Sequence, residues 1–144
     1  MDLNEALKTI DDQRLADSKT AGQMCLGELI SKLEGIADKK KQVQFEFEYL
    51  HPTCFQSYRG YYSDLAIGFD GDGVYPNVEK VLIQAKDCIG KAFEGYKGGY
   101  YTMHEATPIW VANWGKSGGT GVVGVRENEY TVFLETAIVD DLYR

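Results

Sequence analysis

The sequence has few cysteines, few prolines and no long apolar run. Its three cysteines, Cys25, Cys54 and Cys88, are widely spaced and form no CxxC pair. This spacing argues against a zinc or dithiol redox site and favours free thiols in a reducing compartment. No stretch approaches the roughly 20 apolar residues of a membrane-spanning helix, and the N-terminus does not resemble a signal peptide. We therefore expect a cytoplasmic protein with no cofactor, metal or membrane partner.

Positive charge is also scarce, because the formal net charge is −7 over 144 residues. An acidic protein repels a long polyanion, so DNA or RNA is not the expected partner. A small anionic ligand remains open, since it needs only one or two well-placed cations. The length suits one domain over residues 1–144, and the 44% hydrophobic content is that of a globular protein.

Aromatic residues are missing from the first part of the chain. Residues 1–44 contain none of the six Phe, ten Tyr and two Trp residues. The contrast divides the domain into a helical N-terminal segment, residues 1–40, and an α+β body rich in aromatics and glycine, residues 41–144. Apolar residues at helical spacing predict helices over 2–16 and 21–35, and a central helix that begins after Asn77 as its cap.

Alternating apolar and polar residues predict the strands of the body. The run from Val43 to Tyr49 alternates strictly, and further strands are expected over 65–69, 108–114, 122–126 and 130–139. Short connections between strands favour antiparallel pairing. We expect an α+β fold, with two N-terminal helices and one central helix packed on a mainly antiparallel sheet.

Two similar segments carry the clearest functional pattern. Residues 58–62 read Tyr-Arg-Gly-Tyr-Tyr, and residues 96–101 read Tyr-Lys-Gly-Gly-Tyr-Tyr. Rings stack on flat groups and cations bind phosphates, so the pattern is typical of a site for a flat anion. The alternative is that the rings only cover the edge of the core. The copies flank the central helix, so they need not meet within one subunit, and a subunit interface is another way to join them.

Several residues are candidates for binding such a ligand. Tyrosines and tryptophans provide stacking faces, Arg or Lys neutralises phosphate, an amide reads a base edge, and a carboxylate accepts from ribose hydroxyls. The candidates are Tyr58, Arg59, Tyr61, Tyr96, Lys97, Tyr101, Trp110, Asn113, Trp114, Arg126 and Asp140.

Motifs for catalysis and for phosphate or calcium loops are incomplete. Gly115-Lys116-Ser117 matches only the end of a P-loop, because Trp110 stands where the first glycine is required. The turn at 70–73 departs from the EF-hand pattern at the positions that follow. His104 beside Glu105 is a candidate general base, although a solvated pair in a polar loop is the simpler interpretation. We therefore expect a binding protein rather than an enzyme.

Four idiosyncratic segments carry a resemblance that spans about residues 45–139: 57–60, 95–99, 107–115 and the hairpin that ends at 135–137. They resemble a family of small proteins from bacteriophage genomes. The chain is also similar to phage anti-defence sponges of the anti-Thoeris type. This resemblance implies a non-enzymatic homo-oligomer, a dimer or a hexamer, in the cytoplasm of the host cell. It would sequester the cyclic ADP-ribose signal (gcADPR) of bacterial TIR-domain proteins and so block defence. The alternatives are a hydrolase or lyase of such a nucleotide and a protein-binding inhibitor of a host protein.

Overall fold

The computed structural model describes residues 22–47, 50–69, 75–112 and 119–138. These residues hold two helices and eight strands. The helices are α1 (Leu26–Glu34) and α2 (Val78–Cys88). The strands are β1 (Gln42–Phe45), β2 (Cys54–Ser57), β3 (Leu65–Gly68), β4 (Ala92–Glu94), β5 (Tyr100–Thr102), β6 (Ile109–Val111), β7 (Thr120–Glu127) and β8 (Thr131–Ile138).

Both helices follow from their apolar stripes and their first turns. In α1 the buried residues are Leu26, Leu29, Ile30 and Leu33, which share one helical face. Helix α2 begins after Asn77, whose Oδ1 accepts a hydrogen bond from the Lys80 backbone N–H at 2.9 Å. The second and third predicted helices are confirmed, whereas the helix predicted over 2–16 lies outside the described residues. Within the described ranges, neither helix has the length and apolar character that crossing a membrane requires.

The main sheet is mixed rather than mainly antiparallel. Its order is β1-β8-β7-β6-β3-β2, and β1 with β8 and β3 with β6 pair in parallel, while the other three pairs are antiparallel. The predicted sheet is thus only partly right. Short connections imply antiparallel neighbours, but β3 and β6 are separated in sequence by α2 and the β4–β5 hairpin. A long crossover of this kind permits parallel pairing.

Three strands were not predicted from the sequence. Strand β2 directly precedes the first Tyr-rich segment, and β4 and β5 form a separate two-stranded hairpin around the second. These strands have three or four residues each. Such a length gives the alternation of apolar and polar residues too few periods to be recognised.

The strands near the middle of the sheet place apolar residues on both faces. Leu65 and Ile67 of β3 join the main core that contains the helices, whereas Ala66 between them faces the other side. In β6, Ile109 likewise joins the main core, while Trp110 belongs to a second cluster with Tyr58 and Ala112. Successive side chains of a strand point to opposite faces, which explains the division. The second cluster lies directly under the first Tyr-rich segment.

The buried thiol of Cys88 predicts a stability change at high pH. Desolvation by burial raises the pKa of Cys88 from 9.0 to about 11, although the Lys91 ammonium opposes the shift. The Sγ–H donates to the Gln84 carbonyl oxygen at 3.2 Å. Because the folded pKa exceeds the unfolded one, this contribution to stability is full below pH 9.0 and is lost as pH rises towards about 11.

We therefore expect the melting temperature to fall more steeply between pH 9 and pH 11 in the natural chain than in Cys88→Ala. Thermal melts followed by circular dichroism across this range measure the difference. If the melting temperatures of the two proteins fall in parallel with pH, the raised pKa of Cys88 is contradicted.

Candidate functional site

The two Tyr-rich segments contact each other within one chain. The Arg59 guanidinium carbon lies 3.8 Å from the centroid of the Tyr96 ring. The rings of Tyr62 and Tyr101 meet edge to face, with centroids 5.8 Å apart. We call residues 58–62 and 95–101 the paired segments. Since one subunit already joins them, a subunit interface is not needed to bring the two copies together.

The first paired segment lies in the short connection between β2 and β3. The Tyr58 backbone N–H donates to the Asp64 carbonyl at 2.9 Å, and the Asp64 backbone N–H donates to the Tyr61 carbonyl at 2.8 Å. The Ser57 hydroxyl donates to the Tyr62 carbonyl at 2.7 Å. These bonds fold the connection back on itself and leave Arg59 and Gly60 exposed at its tip.

The second paired segment contains the turn of the β4–β5 hairpin and the first two residues of β5. The Gly98 N–H donates to the Gly95 carbonyl and the Gly95 N–H to the Gly99 carbonyl, both at 2.9 Å. Gly98 and Gly99 have φ angles of 98° and 82°, which glycine adopts without the steric cost that a side chain incurs. The turn therefore requires its glycines, and it holds Tyr96 and Lys97 exposed at the tip.

The other two glycines of the paired segments, Gly60 and Gly95, allow the backbone to lie close to tyrosine rings. A Cβ atom at Gly95 would lie 2.9 Å from the Tyr101 ring and 3.2 Å from the Tyr62 ring. A Cβ atom at Gly60 would lie 2.6 Å from Cε2 of Tyr58. Both glycines are therefore positions where backbone packs directly on a tyrosine ring.

A buried stack supports the first segment from below. The rings of Tyr58 and Trp110 are parallel to within 2°, with centroids 4.5 Å apart, and Tyr61 lies 5.9 Å from Trp110 at a tilt. The Trp110 Nε1–H donates to Oδ2 of the buried Asp64 at 2.9 Å. Stacking and hydrogen bonding together fix the orientation of the indole.

The stack fits because the neighbours of Trp110 in the sheet are small. One row of residues crosses five strands, and within it Ala66 of β3 and Gly121 of β7 flank Trp110. The ends of the row are Gln56 and Ala137. Small side chains on both sides leave room above the sheet for the indole and for the parallel ring of Tyr58.

The predicted ligand contacts of Tyr58 and Trp110 do not fit the burial of these two side chains. Tyr58 is 2% exposed and Trp110 is 0% exposed, and each packs on the other. Their rings therefore support the paired segments from inside and present no open face to a ligand. Among the other candidates, Arg59, Tyr96 and Lys97 are exposed, and Tyr61 and Tyr101 are partly buried at the same place.

The structure does not bring Arg126 to the paired segments. Its guanidinium lies 4.4 Å from the centroid of Phe133, and its Nε is 3.8 Å from a carboxylate oxygen of Glu135. Arg126 follows Gly121, the partner of Trp110, by five residues along β7. That separation is about 16 Å at the rise of a strand. The predicted candidates Asn113, Trp114 and Asp140 lie outside the described residues, as does the partial P-loop pattern.

Sequence reasoning missed two residues of this site. Asp64 is 1% exposed and accepts the indole hydrogen bond, and Tyr100 of the hairpin is 76% exposed. A buried Asp needs donors and a buried Trp needs an acceptor, but the sequence does not reveal that Asp64 and Trp110 are buried. Their pairing joins positions 46 residues apart, which no local pattern reveals.

The described residues contain no group of three or more His, Cys, Asp or Glu side chains placed to hold a metal ion. His104 is exposed, and its backbone N–H donates to the Thr107 hydroxyl at 2.9 Å in a tight turn. Two open surface clefts, of about 380 and 450 Å³, lie elsewhere, one beside Gly35 of the α1 cap and one between Tyr75 and Ile83 of α2.

Comparisons of the chain with protein-family models, curated proteins and solved structures found no match. The resemblance to phage anti-defence sponges therefore stays a prediction from the sequence.

The close contact between Gly60 and Tyr58 predicts that alanine at position 60 lowers the stability of the protein. In Gly60→Ala the new methyl group meets a ring that Trp110 holds in place, so we expect a loss of about 1–3 kcal/mol of unfolding free energy. Gly35→Ala is the matched control, because its nearest neighbour would lie at an ordinary 3.5 Å and its φ is −73°.

Urea denaturation of the two variants and the natural chain gives both free energies. Gly35→Ala is expected to lie within about 0.5 kcal/mol of the natural chain. Equal stability of the two variants would contradict the packing of Gly60 on Tyr58.

Proposed function

We propose that this chain is a non-enzymatic binding protein that sequesters a small, anionic, nucleotide-derived molecule at the paired segments. The observation that supports it most is the Arg59 guanidinium stacked 3.8 Å above the Tyr96 ring. This contact combines a cation with aromatic surface at one exposed place, as a flat anionic ligand requires. It also joins two segments that are separate in the sequence.

The two cations of the paired segments, Arg59 and Lys97, favour an anionic ligand. Within the described residues, the ion pairs are Lys41 with Glu127, Lys86 with Glu34 and Arg126 with Glu135. None of them includes Arg59 or Lys97, so no described carboxylate neutralises these two cations. The whole chain carries a net charge of −7, which keeps a long polyanion away while two local cations attract a small one.

The resemblance to anti-Thoeris sponges extends the proposal to the ligand and its use. We propose a signal of the cyclic ADP-ribose type, bound without turnover by a homo-oligomer, a dimer or a hexamer, in the host cytoplasm. Sequestration blocks bacterial defence only when the protein is abundant and binds tightly. A net negative charge suits such an abundant protein, because it favours solubility.

A second candidate function is binding to a host protein as an inhibitor. Tyr96 is 63% exposed and Tyr100 is 76% exposed, and both lie on the β4–β5 hairpin. Tyrosine and arginine are enriched among the residues that dominate protein–protein binding energy. This hairpin, with Arg59 beside it, is therefore also a suitable surface for a protein partner.

Ligand recovery tests sequestration. The purified chain is incubated with cyclic ADP-ribose isomers and cyclic di- and trinucleotides, freed of unbound ligand and then heated. We expect mass spectrometry of the supernatant to show one of these ligands intact and near stoichiometric. We expect the double variant Arg59→Gln/Lys97→Gln to retain much less ligand, because it removes both cations.

Other outcomes of the recovery experiment favour one of the alternative functions. A chemically altered product would replace sequestration with a hydrolase or lyase activity, and His104→Ala would then be the next variant to assay. Failure to retain any of these nucleotides would remove the small-ligand function. Native mass spectrometry of the same sample reports the number of subunits.

A further inference from the structure

The contact between Arg59 and Tyr96 changes the role that each side chain has in the site. The sequence pattern made Tyr96 a platform for a base, but its ring already faces the Arg59 guanidinium at 3.8 Å. We infer that Arg59 binds a phosphate group of the ligand and that Tyr96 is a positioning residue which orients Arg59. This inference rests on the proposed function, whose site it shares.

The geometry of a stacked guanidinium explains why it suits phosphate. A guanidinium is planar, and its N–H donors lie in the plane around its edge. When a ring covers one face, those donors still reach outward and can bind two oxygens of one phosphate as a fork. An ammonium group has no such plane, so lysine at position 59 would lose both the stacking and the fork.

Neighbouring contacts hold the stacked pair in place. Arg59 follows Tyr58, which is buried on Trp110, and the hairpin that carries Tyr96 is packed against the same loop through Tyr62 and Tyr101. Both partners of the stack are thus attached to backbone that is fixed nearby. A preorganised arginine loses less conformational freedom on binding, which strengthens the complex.

The local charges favour a phosphate or diphosphate over a single carboxylate. Lys97 follows Tyr96 directly in the exposed turn, so two cations occupy adjoining positions of the paired segments. A diphosphate carries enough negative charge to bind both cations, whereas a single carboxylate neutralises only one of them.

Calorimetry with defined probes tests this inference. The probes are cyclic ADP-ribose, inorganic pyrophosphate and adenosine, and the variants are Arg59→Gln, Arg59→Lys, Tyr96→Phe and Tyr96→Leu. Arg126→Gln and Tyr130→Leu are matched controls, because Arg126 also stacks on a ring and Tyr130 is 75% exposed, yet both lie outside the paired segments.

We expect Arg59→Gln to weaken binding of cyclic ADP-ribose and of pyrophosphate by about tenfold to a hundredfold. Arg59→Lys should recover only part of this loss. Tyr96→Phe should bind like the natural chain, because it keeps the ring, while Tyr96→Leu should lose about twofold to fivefold. Adenosine should bind weakly and should not respond to position 59.

The results separate failure of the inference from failure of the proposed function. If cyclic ADP-ribose binds and Arg59→Gln or Tyr96→Leu matches its control variant, the inference is overturned and the proposed function stands. If pyrophosphate binds through Arg59 but no nucleotide binds, the proposed function is overturned and the phosphate site stands. If no probe binds and the recovery experiment retains no nucleotide, both are overturned.

Discussion

The hydrogen bond from the Trp110 indole to the buried Asp64 carboxylate is the constraint on which the site depends. It connects β6 in the sheet with the loop between β2 and β3, across 46 residues of sequence. Tyr58 packs in parallel on the same indole, so the loop is held by a ring as well as by a carboxylate. The adjacent Arg59 is thereby directed towards Tyr96, and the hairpin is joined to the loop.

The two copies of the Tyr-cation-Gly pattern differ in what they do. In the first, Tyr58 is a core residue and Gly60 packs against its ring. In the second, Tyr96 is exposed, and Gly95 lets the hairpin approach the tyrosine rings of both segments. One copy therefore supplies the cation and its buried support, and the other supplies the ring that orients it. The two segments are similar in sequence, but they have complementary roles in one surface.

The sequence pattern predicted the elements that depend on interactions between residues close together in the chain. Helix α2 and its cap at Asn77 follow from the spacing of apolar residues and from one side-chain hydrogen bond. The parallel pairing of β3 with β6 depends on a crossover through α2, which no strand pattern contains. The paired segments were recognisable as a candidate site, but the burial of Trp110 depends on Ala66 and Gly121 in neighbouring strands. The placement of Arg126 on Phe133 likewise depends on the register of β7 with β8.

The most direct test of one shared site within a chain is a nuclear magnetic resonance titration with cyclic ADP-ribose. The backbone amides of 58–62 and 95–101, and the Arg59 Nε–H, are the resonances to follow, with residues 124–127 of β7 as the internal reference. Our account predicts that both paired segments shift together with one dissociation constant while the reference stays in place. Shifts confined to one segment, or centred on β7, would contradict it.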